Sequence, residues 1–305
     1  MYDVIIVGGG PAGFTAALYS ARAKFKTLII EKRFSGGQMA TTSFMENYPG
    51  FEEPISGAEL ANRMENQAKR FGAEINKEDV IDVTLDTVIK TVKTKNNIYQ
   101  SKVVILCMGA FPKELGLSSE ERFKNAGVSY CATCDGAFFQ DRVVAVIGGG
   151  DTAAEDALYL SRFCSKVYLL HRRDRMRATK VLQDSLFNCK NIEFIWNTAV
   201  DEIYGKFDVE GIKIKNIITG EMSNLKVDGV FVAIGNVPHT HLVQGKIELN
   251  KAGYIVTDEN MQTNIFGVFA AGDIREKSLR QVITAASDGA IAAYIAERYI
   301  NENRW

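Results

Sequence analysis

The 305-residue chain has no stretch of about 18 uninterrupted apolar residues, so no segment reads as a membrane-spanning helix. Neither charge is in excess. Lys and Arg number 36 against 37 Asp and Glu, a formal net charge of -1, which implies no nucleic acid or other polyanionic partner. Cysteine is scarce: five residues do not make a disulfide scaffold, and Cys107, Cys164 and Cys189 each stand alone. Histidine is scarcer still. With three histidines and no second CxxC, the four suitably spaced ligands of a structural zinc are missing; His239 and His241, after Pro238, read as a loop near a strand end. Between Met1 and the glycines at Gly8 there is no room for a basic region, an apolar region and a cleavage site, so the chain is expected to be cytoplasmic. What remains is an ordinary globular composition, 46% hydrophobic and 24% charged, with a length that suits two mid-sized domains.

An internal repeat organises the chain. Val4-Ile-Ile-Val-Gly-Gly-Gly-Pro-Ala-Gly13 matches Val144-Ala-Val-Ile-Gly-Gly-Gly-Asp-Thr-Ala153 at a shift of 140 positions, 148 minus 8. Without a gap, Ala17-Leu18-Tyr19 then falls on Ala157-Leu158-Tyr159, Arg22 on Arg162, and Thr27 to Ile30 on Val167 to Leu170. Each copy reads as strand, glycine turn, helix, strand: the unit of a doubly wound parallel α/β sheet, giving two Rossmann-like, three-layer dinucleotide-binding domains. Gly8, Gly10, Pro11, Ala12 and Gly13 form the first turn, and Gly148, Gly150, Asp151, Thr152 and Ala153 the second. Small residues at this spacing permit a tight turn, close approach of backbone to a pyrophosphate, and close packing of helix on strand. The phosphates then meet the outward-pointing N–H groups of a helix N-terminus.

The copies differ where the nucleotide is chosen. The first carries Glu31 at the end of its second strand, where a carboxylate can accept from a ribose diol. The second has His171, Arg172 and Arg173, followed by Arg177, at that place. Guanidinium groups bind a 2′-phosphate through charge-assisted hydrogen bonds, so the second site is expected to take NADPH. Two dinucleotide sites in one chain imply electron passage between two cofactors, and the first is assigned to FAD. Toward the C-terminus, Val268-Phe-Ala-Ala-Gly-Asp273 reads as a strand ending in Gly272-Asp273, and Ser278-Leu-Arg-Gln281 as a capping box that opens an apolar helix through Ala296. Asp273 could bind flavin ribityl or pyrophosphate-adjacent hydroxyls, and the helix start at Arg280, Gln281 and Val282 could stabilise negative charge on a reduced flavin.

Between the repeats lies Ser129-Tyr-Cys-Ala-Thr-Cys-Asp-Gly136. Cys131 and Cys134 can close a small disulfide ring, accept two electrons, and reduce another disulfide through a mixed-disulfide intermediate. Asp135-Gly136 is a turn signal that also sets a carboxyl group beside the thiols, where a leaving thiolate needs a proton.

In this order Gly8 to Gly13, Gly36-Gly-Gln38, Glu46-Asn-Tyr-Pro-Gly50, Cys131 to Gly136, Gly148 to Ala153, His171 to Arg177 and Gly272 to Gly289 resemble the low-molecular-weight, bacterial-type NADPH-dependent thioredoxin reductases nearly end to end. The resemblance implies an FAD domain split into residues 1–113 and 243–305, with an NADPH domain carrying the CxxC at 114–242. It adds Gly37, Gln38, Asn47 and Gly109 to the cofactor contacts. It implies that Cys134 lies next to the flavin, that Cys131 attacks the partner disulfide, and that Asp135 is the general acid. Homodimers, a rotating NADPH domain and a thioredoxin or similar small thiol protein as partner are implied in the same way. Cys107-Met108-Gly109 and Asp288 depart from the family's commonest pattern. The alternatives are a reductase for another disulfide acceptor, such as a peroxidase system, and a non-catalytic NADPH sensor or zinc-binding interaction protein.

Overall fold

Val4 to Val7 and Leu28 to Ile30 are continuous apolar runs, the composition of strands covered on both faces, and each of these side chains is at most 4% exposed. The computed structural model that places them describes residues 1–32, 35–42 and 45–302. Its chain divides into two units, Met1–Phe111 with Val237–Trp305, and Pro112–Asn236. The sequence had suggested breaks at 113/114 and 242/243. The second break lies earlier because Leu242 packs against the first unit's core and His239 donates its backbone N–H to the Gly109 carbonyl at 3.0 Å. The two chain crossings, Ala110–Pro112 and Asn236–Pro238, pair as a two-stranded ribbon.

In the first unit, strands run side by side in the order Glu74–Lys77, Thr27–Glu31, Tyr2–Val7, Ile98–Leu106, Lys90–Thr94, Val80–Thr84. The first four are parallel, with Val4 opposite Thr27 and Val7 opposite Leu106. Besides Tyr2–Val7, Ile98–Leu106 serves two further neighbours: its start pairs antiparallel with Lys90–Thr94, and its end pairs parallel with Val268–Ala270. Helices Pro11–Arg22 and Val282–Asn301 cover one face through Phe14, Ala16, Ala292 and Ala296. They approach so closely that a Cβ on Gly289 would sit 2.1 Å from the Ala12 carbonyl oxygen. The opposite face is covered by Val243, Ile247 and Ile255. The last helix continues to Asn301, beyond Ala296. Its capping box is Gln281 with Thr284 rather than Ser278 with Gln281, because extended backbone persists to Gln281, whose N–H donates to Thr284 Oγ1 at 3.2 Å.

The second unit repeats the plan on a smaller scale. Its five parallel strands lie in the order Ile192–Ile195, Lys166–Leu170, Val143–Gly148, Gly229–Ala233, Val128–Ser129. Helices Asp151–Leu160 and Lys180–Phe187 pack on one face. A three-stranded antiparallel sheet, Thr198–Tyr204, Gly211–Asn216 and Met222–Leu225, packs on the other. No helix among the described residues is long and apolar enough to cross a membrane.

Candidate active site

The first glycine turn is built from close approaches that side chains would block. Gly8 has φ +108°, and a Cβ there would lie 2.3 Å from the Cys107 carbonyl oxygen; one on Gly13 would lie 1.9 Å from the Gly8 carbonyl oxygen. Gly10, by contrast, faces open space, its nearest neighbour being the Gly36 carbonyl oxygen at 4.0 Å. Pro11 is the first residue of the following helix, whose N-terminus is therefore open to a ligand. Glu31 accepts the Gly9 N–H at 2.5 Å, so the strand-end acid is fixed against the turn.

Five further segments of the first unit contribute to the site. The Gly36 N–H donates to the Gly9 carbonyl at 2.7 Å, which brings Gly37 and Gln38 beside the turn, and the Gln38 side-chain amide donates to the Ala110 carbonyl, next to Gly109. The Asn47 amide donates to the Gln281 side chain at 3.1 Å, just before Val282. Gly272, with φ +80°, sits against Ala12, where its Cβ would be 3.0 Å from the Ala12 methyl. Asp273 follows. Its Oδ1 and the Nε of Arg280 are buried with no hydrogen-bond partner, while the Arg280 guanidinium lies 4.2 Å from the Tyr254 ring centre. Burial pushes the Asp273 carboxyl up, Asp288 adds to this, and Lys277 and Arg280 oppose it. Buried polar atoms are rarely left unpaired, so an orphan acceptor and donor beside an open glycine turn fit a ligand rich in hydroxyls and ring acceptors. FAD meets that description. Cys107 is buried, its thiol pushed well above the ordinary range by desolvation, so it takes no part as a thiolate.

Asp288 is what the sequence left without a role. It is 5% exposed and holds the turn before Asp273: its carboxylate accepts from the Gly272 N–H at 3.0 Å, Arg275 Nε at 2.9 Å and Lys277 Nζ at 2.8 Å. A lone acid in the apolar stretch Ala285 to Ala293 was the signal for it.

In the second unit, Gly148 touches strand and helix: its Cβ would meet the Ala233 carbonyl oxygen at 2.3 Å and the Ala153 methyl at 2.6 Å. Gly150 is open. The His171 ring covers Gly149, so closely that a Cβ there would be 2.3 Å from it, and Nε2 is buried without a partner. Burial lowers the His171 pKa, and Arg177, Arg173 and Arg172 lower it further, so this residue contributes a neutral ring rather than the cation its place in the basic cluster suggested. Arg172, Arg173 and Arg177 are exposed, and Arg175 joins them from the same loop. The loop is tied down at two points: the Arg177 N–H donates to the Gly149 carbonyl at 2.7 Å, and Asp151 accepts the Thr179 N–H at 2.7 Å. Thr152 is exposed on the first turn of the helix, and Ala153 is buried behind it.

Cys131 and Cys134 are joined in a disulfide, with Cα atoms 5.3 Å apart, on the short helix Ala132–Asp135. The Cys134 and Asp135 N–H groups both donate to the Cys131 carbonyl, at 3.2 and 3.1 Å. Ser129 ties the group together. Its hydroxyl donates to Asp135 Oδ2 at 2.6 Å and accepts the Cys131 N–H at 3.1 Å. Burial raises the Asp135 pKa and the Ser129 hydrogen bond partly offsets this, leaving a carboxyl that keeps its proton to higher pH than usual. Tyr130 donates to Glu120 at 2.9 Å and so anchors the chain entering the disulfide. Among the described residues, no group of three or more His, Cys, Asp or Glu side chains could hold a metal ion.

Known proteins resemble the chain over its whole length. The family model described as pyridine nucleotide-disulphide oxidoreductase matches residues 2–289. A thioredoxin reductase of Peptoclostridium acidaminophilum is 50% identical, across 99% of this chain and 98% of that protein. One of Bacillus subtilis is 47% identical, across 99% and 96%. The crystal structure of thioredoxin reductase from Streptococcus pyogenes superposes with a TM-score of 0.94 at 44% identity, covering 99% of each chain. Two glycine turns, a closed CxxC and end-to-end similarity at this level agree: the chain belongs to the pyridine nucleotide-disulphide oxidoreductases and, within them, to the thioredoxin reductase family.

Proposed function

We propose that the chain is a thioredoxin-disulfide reductase that draws electrons from NADPH and holds FAD as its resident cofactor. The observation that carries this reading is the Cys131–Cys134 disulfide with Asp135 fixed beside it by Ser129. FAD, when bound, supplies the two-electron carrier between a nicotinamide and that disulfide. The turn from Gly8 to Gly13 takes its pyrophosphate on the helix N-terminus, and Glu31 faces its adenosine ribose. Asp273 accepts from its hydroxyls; Gly37, Gln38, Asn47 and Gly109 line the remainder; Arg280 to Val282 stabilise negative charge at the flavin. In the second unit, Gly148 to Ala153 take the NADPH pyrophosphate, and Arg172, Arg173 and Arg177 take the 2′-phosphate, with His171 packed beneath them.

Two electrons and two protons convert the disulfide to a dithiol, and Asp135, beside the pair, hands a proton to the sulfur that leaves. The Cys131 thiol then gives up its proton and, as the thiolate, attacks one sulfur of the partner's disulfide. That S–S bond breaks, its leaving sulfur takes a proton, and a mixed disulfide forms. Cys134 displaces it, which releases the partner as a dithiol and closes Cys131–Cys134 again. The reading includes a homodimer and a cytoplasmic location, both implied by the family resemblance.

The test is anaerobic mixing of the purified yellow protein with NADPH or NADH while flavin absorbance is followed. Rapid bleaching by NADPH, with a weak response to NADH, followed by NADPH-dependent reduction of thioredoxin, is the expected result. A colourless protein, or a yellow one that responds to neither nucleotide, overturns it.

A further inference from the structure

We propose that Trp196 is the base-stacking residue of the second unit, the aromatic wall against which the adenine of a 2′-phosphorylated nucleotide lies while the arginine loop holds its phosphate. This rests on the reading of that unit as the NADPH site, and it assigns the base, which neither the glycine turn nor the arginines recognise.

The position of the ring is built by three constraints. Trp196 leaves the edge strand Ile192–Ile195 just beyond the point where Leu170 faces Ile195, and it is half-buried. Its backbone corner is locked to the arginine loop: the Asn197 N–H donates to the Arg173 carbonyl at 3.1 Å and the Thr198 N–H to the His171 carbonyl at 3.0 Å. Asn197 itself has φ 51°, a left-handed conformation that costs a side chain other than glycine some strain and fixes the direction in which the chain turns.

The indole is then held as a rigid plate. It stacks on Phe194, with ring centres 5.0 Å apart and planes 12° from parallel, and Phe194 in turn rests on Phe187 at 4.8 Å. The His171 ring also meets it, with ring centres 6.4 Å apart and planes 74° from parallel. His171 covers Gly149, whose carbonyl accepts the Arg177 N–H. A continuous path of contacts therefore leads from the phosphate-facing glycine turn through His171 to Trp196, alongside the loop that carries Arg172, Arg173, Arg175 and Arg177. Among the described residues, none of those four guanidinium groups has an ion-pair partner. A half-buried plate with one face stacked on Phe194, beside guanidinium groups without ion-pair partners, matches the two halves of an adenosine 2′-phosphate: a π-face and a dianion.

The test uses the FAD-loaded enzyme and adenosine 2′,5′-bisphosphate, which carries base and 2′-phosphate but cannot donate electrons. Calorimetry gives its affinity for the parent, Trp196→Ala, Trp196→Phe and Arg172→Ala. The expected result is a loss of about tenfold in Trp196→Ala, recovery to within about threefold of the parent in Trp196→Phe, and a loss in Arg172→Ala. Inorganic pyrophosphate, which has no base, should bind Trp196→Ala as it binds the parent. In Trp305→Phe, which leaves Trp196 as the chain's one tryptophan, the bisphosphate should quench indole emission. That readout does not depend on how well the alanine variant folds. Unchanged affinity in Trp196→Ala, or unquenched emission in Trp305→Phe, while Arg172→Ala still weakens binding, overturns the stacking role and leaves the NADPH site standing. No binding to the parent at all overturns both.

Discussion

Asp156 sits on the helix Asp151–Leu160, beside the alanines that pack against the disulfide's short helix, and no hydrogen bond or ion pair satisfies it among the described residues. Burial, with a smaller contribution from the neighbouring Glu155 charge, raises its pKa from 3.8 to about 7. The sign follows from proton counts. Between about pH 4 and pH 7 the folded protein keeps a proton that the unfolded chain has released, so stability falls as pH rises through this window and levels off above it. A shift of about 3 units is a ceiling of about 4 kcal/mol above pH 7, and only about 1.6 kcal/mol of it is present at pH 5. Asp156→Asn removes the charge at every pH, and the cost of a buried amide, about 1–3 kcal/mol, is the same at both pH values and cancels in their difference. The variant's stability relative to the parent should therefore be about 2 kcal/mol better at pH 8.5 than at pH 5. Circular dichroism melts of the FAD-loaded protein would show this as a relative gain of roughly 4–8 °C, taking 2–4 °C per kcal/mol. An effect of Asp156→Asn that is equal at the two pH values refutes the reasoning.

Cys134→Ser should keep FAD and still be bleached by NADPH while losing thioredoxin reduction; full thioredoxin turnover by that variant would sink the assignment of the disulfide. Replacing Arg172 and Arg173 with neutral residues should raise KM for NADPH by about tenfold to a hundredfold for each charged hydrogen bond lost, at about 1.5–3 kcal/mol apiece, with little change for NADH. Equal effects on the two nucleotides would contradict 2′-phosphate recognition. Ser129→Ala removes the hydrogen bond that holds the Asp135 pKa down, so the pH profile of thioredoxin reduction should move to higher pH on the limb that Asp135 controls; an unmoved limb argues against Asp135 as the acid. Gly289→Ala puts a methyl 2.1 Å from a backbone oxygen of the facing helix. An overpacking cost of about 1–3 kcal/mol or more should appear as lost flavin absorbance per protein, and full occupancy would show that the helices can part.

The glycine turns, Glu31, the basic cluster and the CxxC could be read from the chain because each is a local pattern whose chemistry depends on residues within one turn. The strand-helix-strand units and the doubly wound fold class were legible from the repeat, since such a unit admits few arrangements; the order of the first unit's strands was not. What the sequence did not reveal depends on partners far apart in it. Asp288 acts through residues 11 to 16 positions away, and Trp196 meets His171 across 25 positions. The neutral state of His171 comes from burial beneath Gly149, which a list of basic residues does not contain. The register of the last helix's cap shifted by three residues because Ser278 and Gln281 satisfy the spacing of a capping box as well as Gln281 and Thr284 do. Only the backbone conformation separates the two.

The contact between Ala12 and Gly289 also sets a timetable for synthesis. The strand and glycine turn of Tyr2–Gly13 are made before the second unit and their covering helix, Val282–Asn301, after it, so the first unit has no complete core until that helix has left the ribosome. The second unit, continuous from Pro112 to Asn236, has all its strands and helices at hand well before that. The second unit therefore has everything it needs to fold before the first unit does, although the first unit's opening strand is made earlier. A nascent chain stalled between Asn236 and the final helix carries a complete redox disulfide unit and an N-terminal nucleotide turn whose sheet lacks its second covering helix, with apolar surface left exposed.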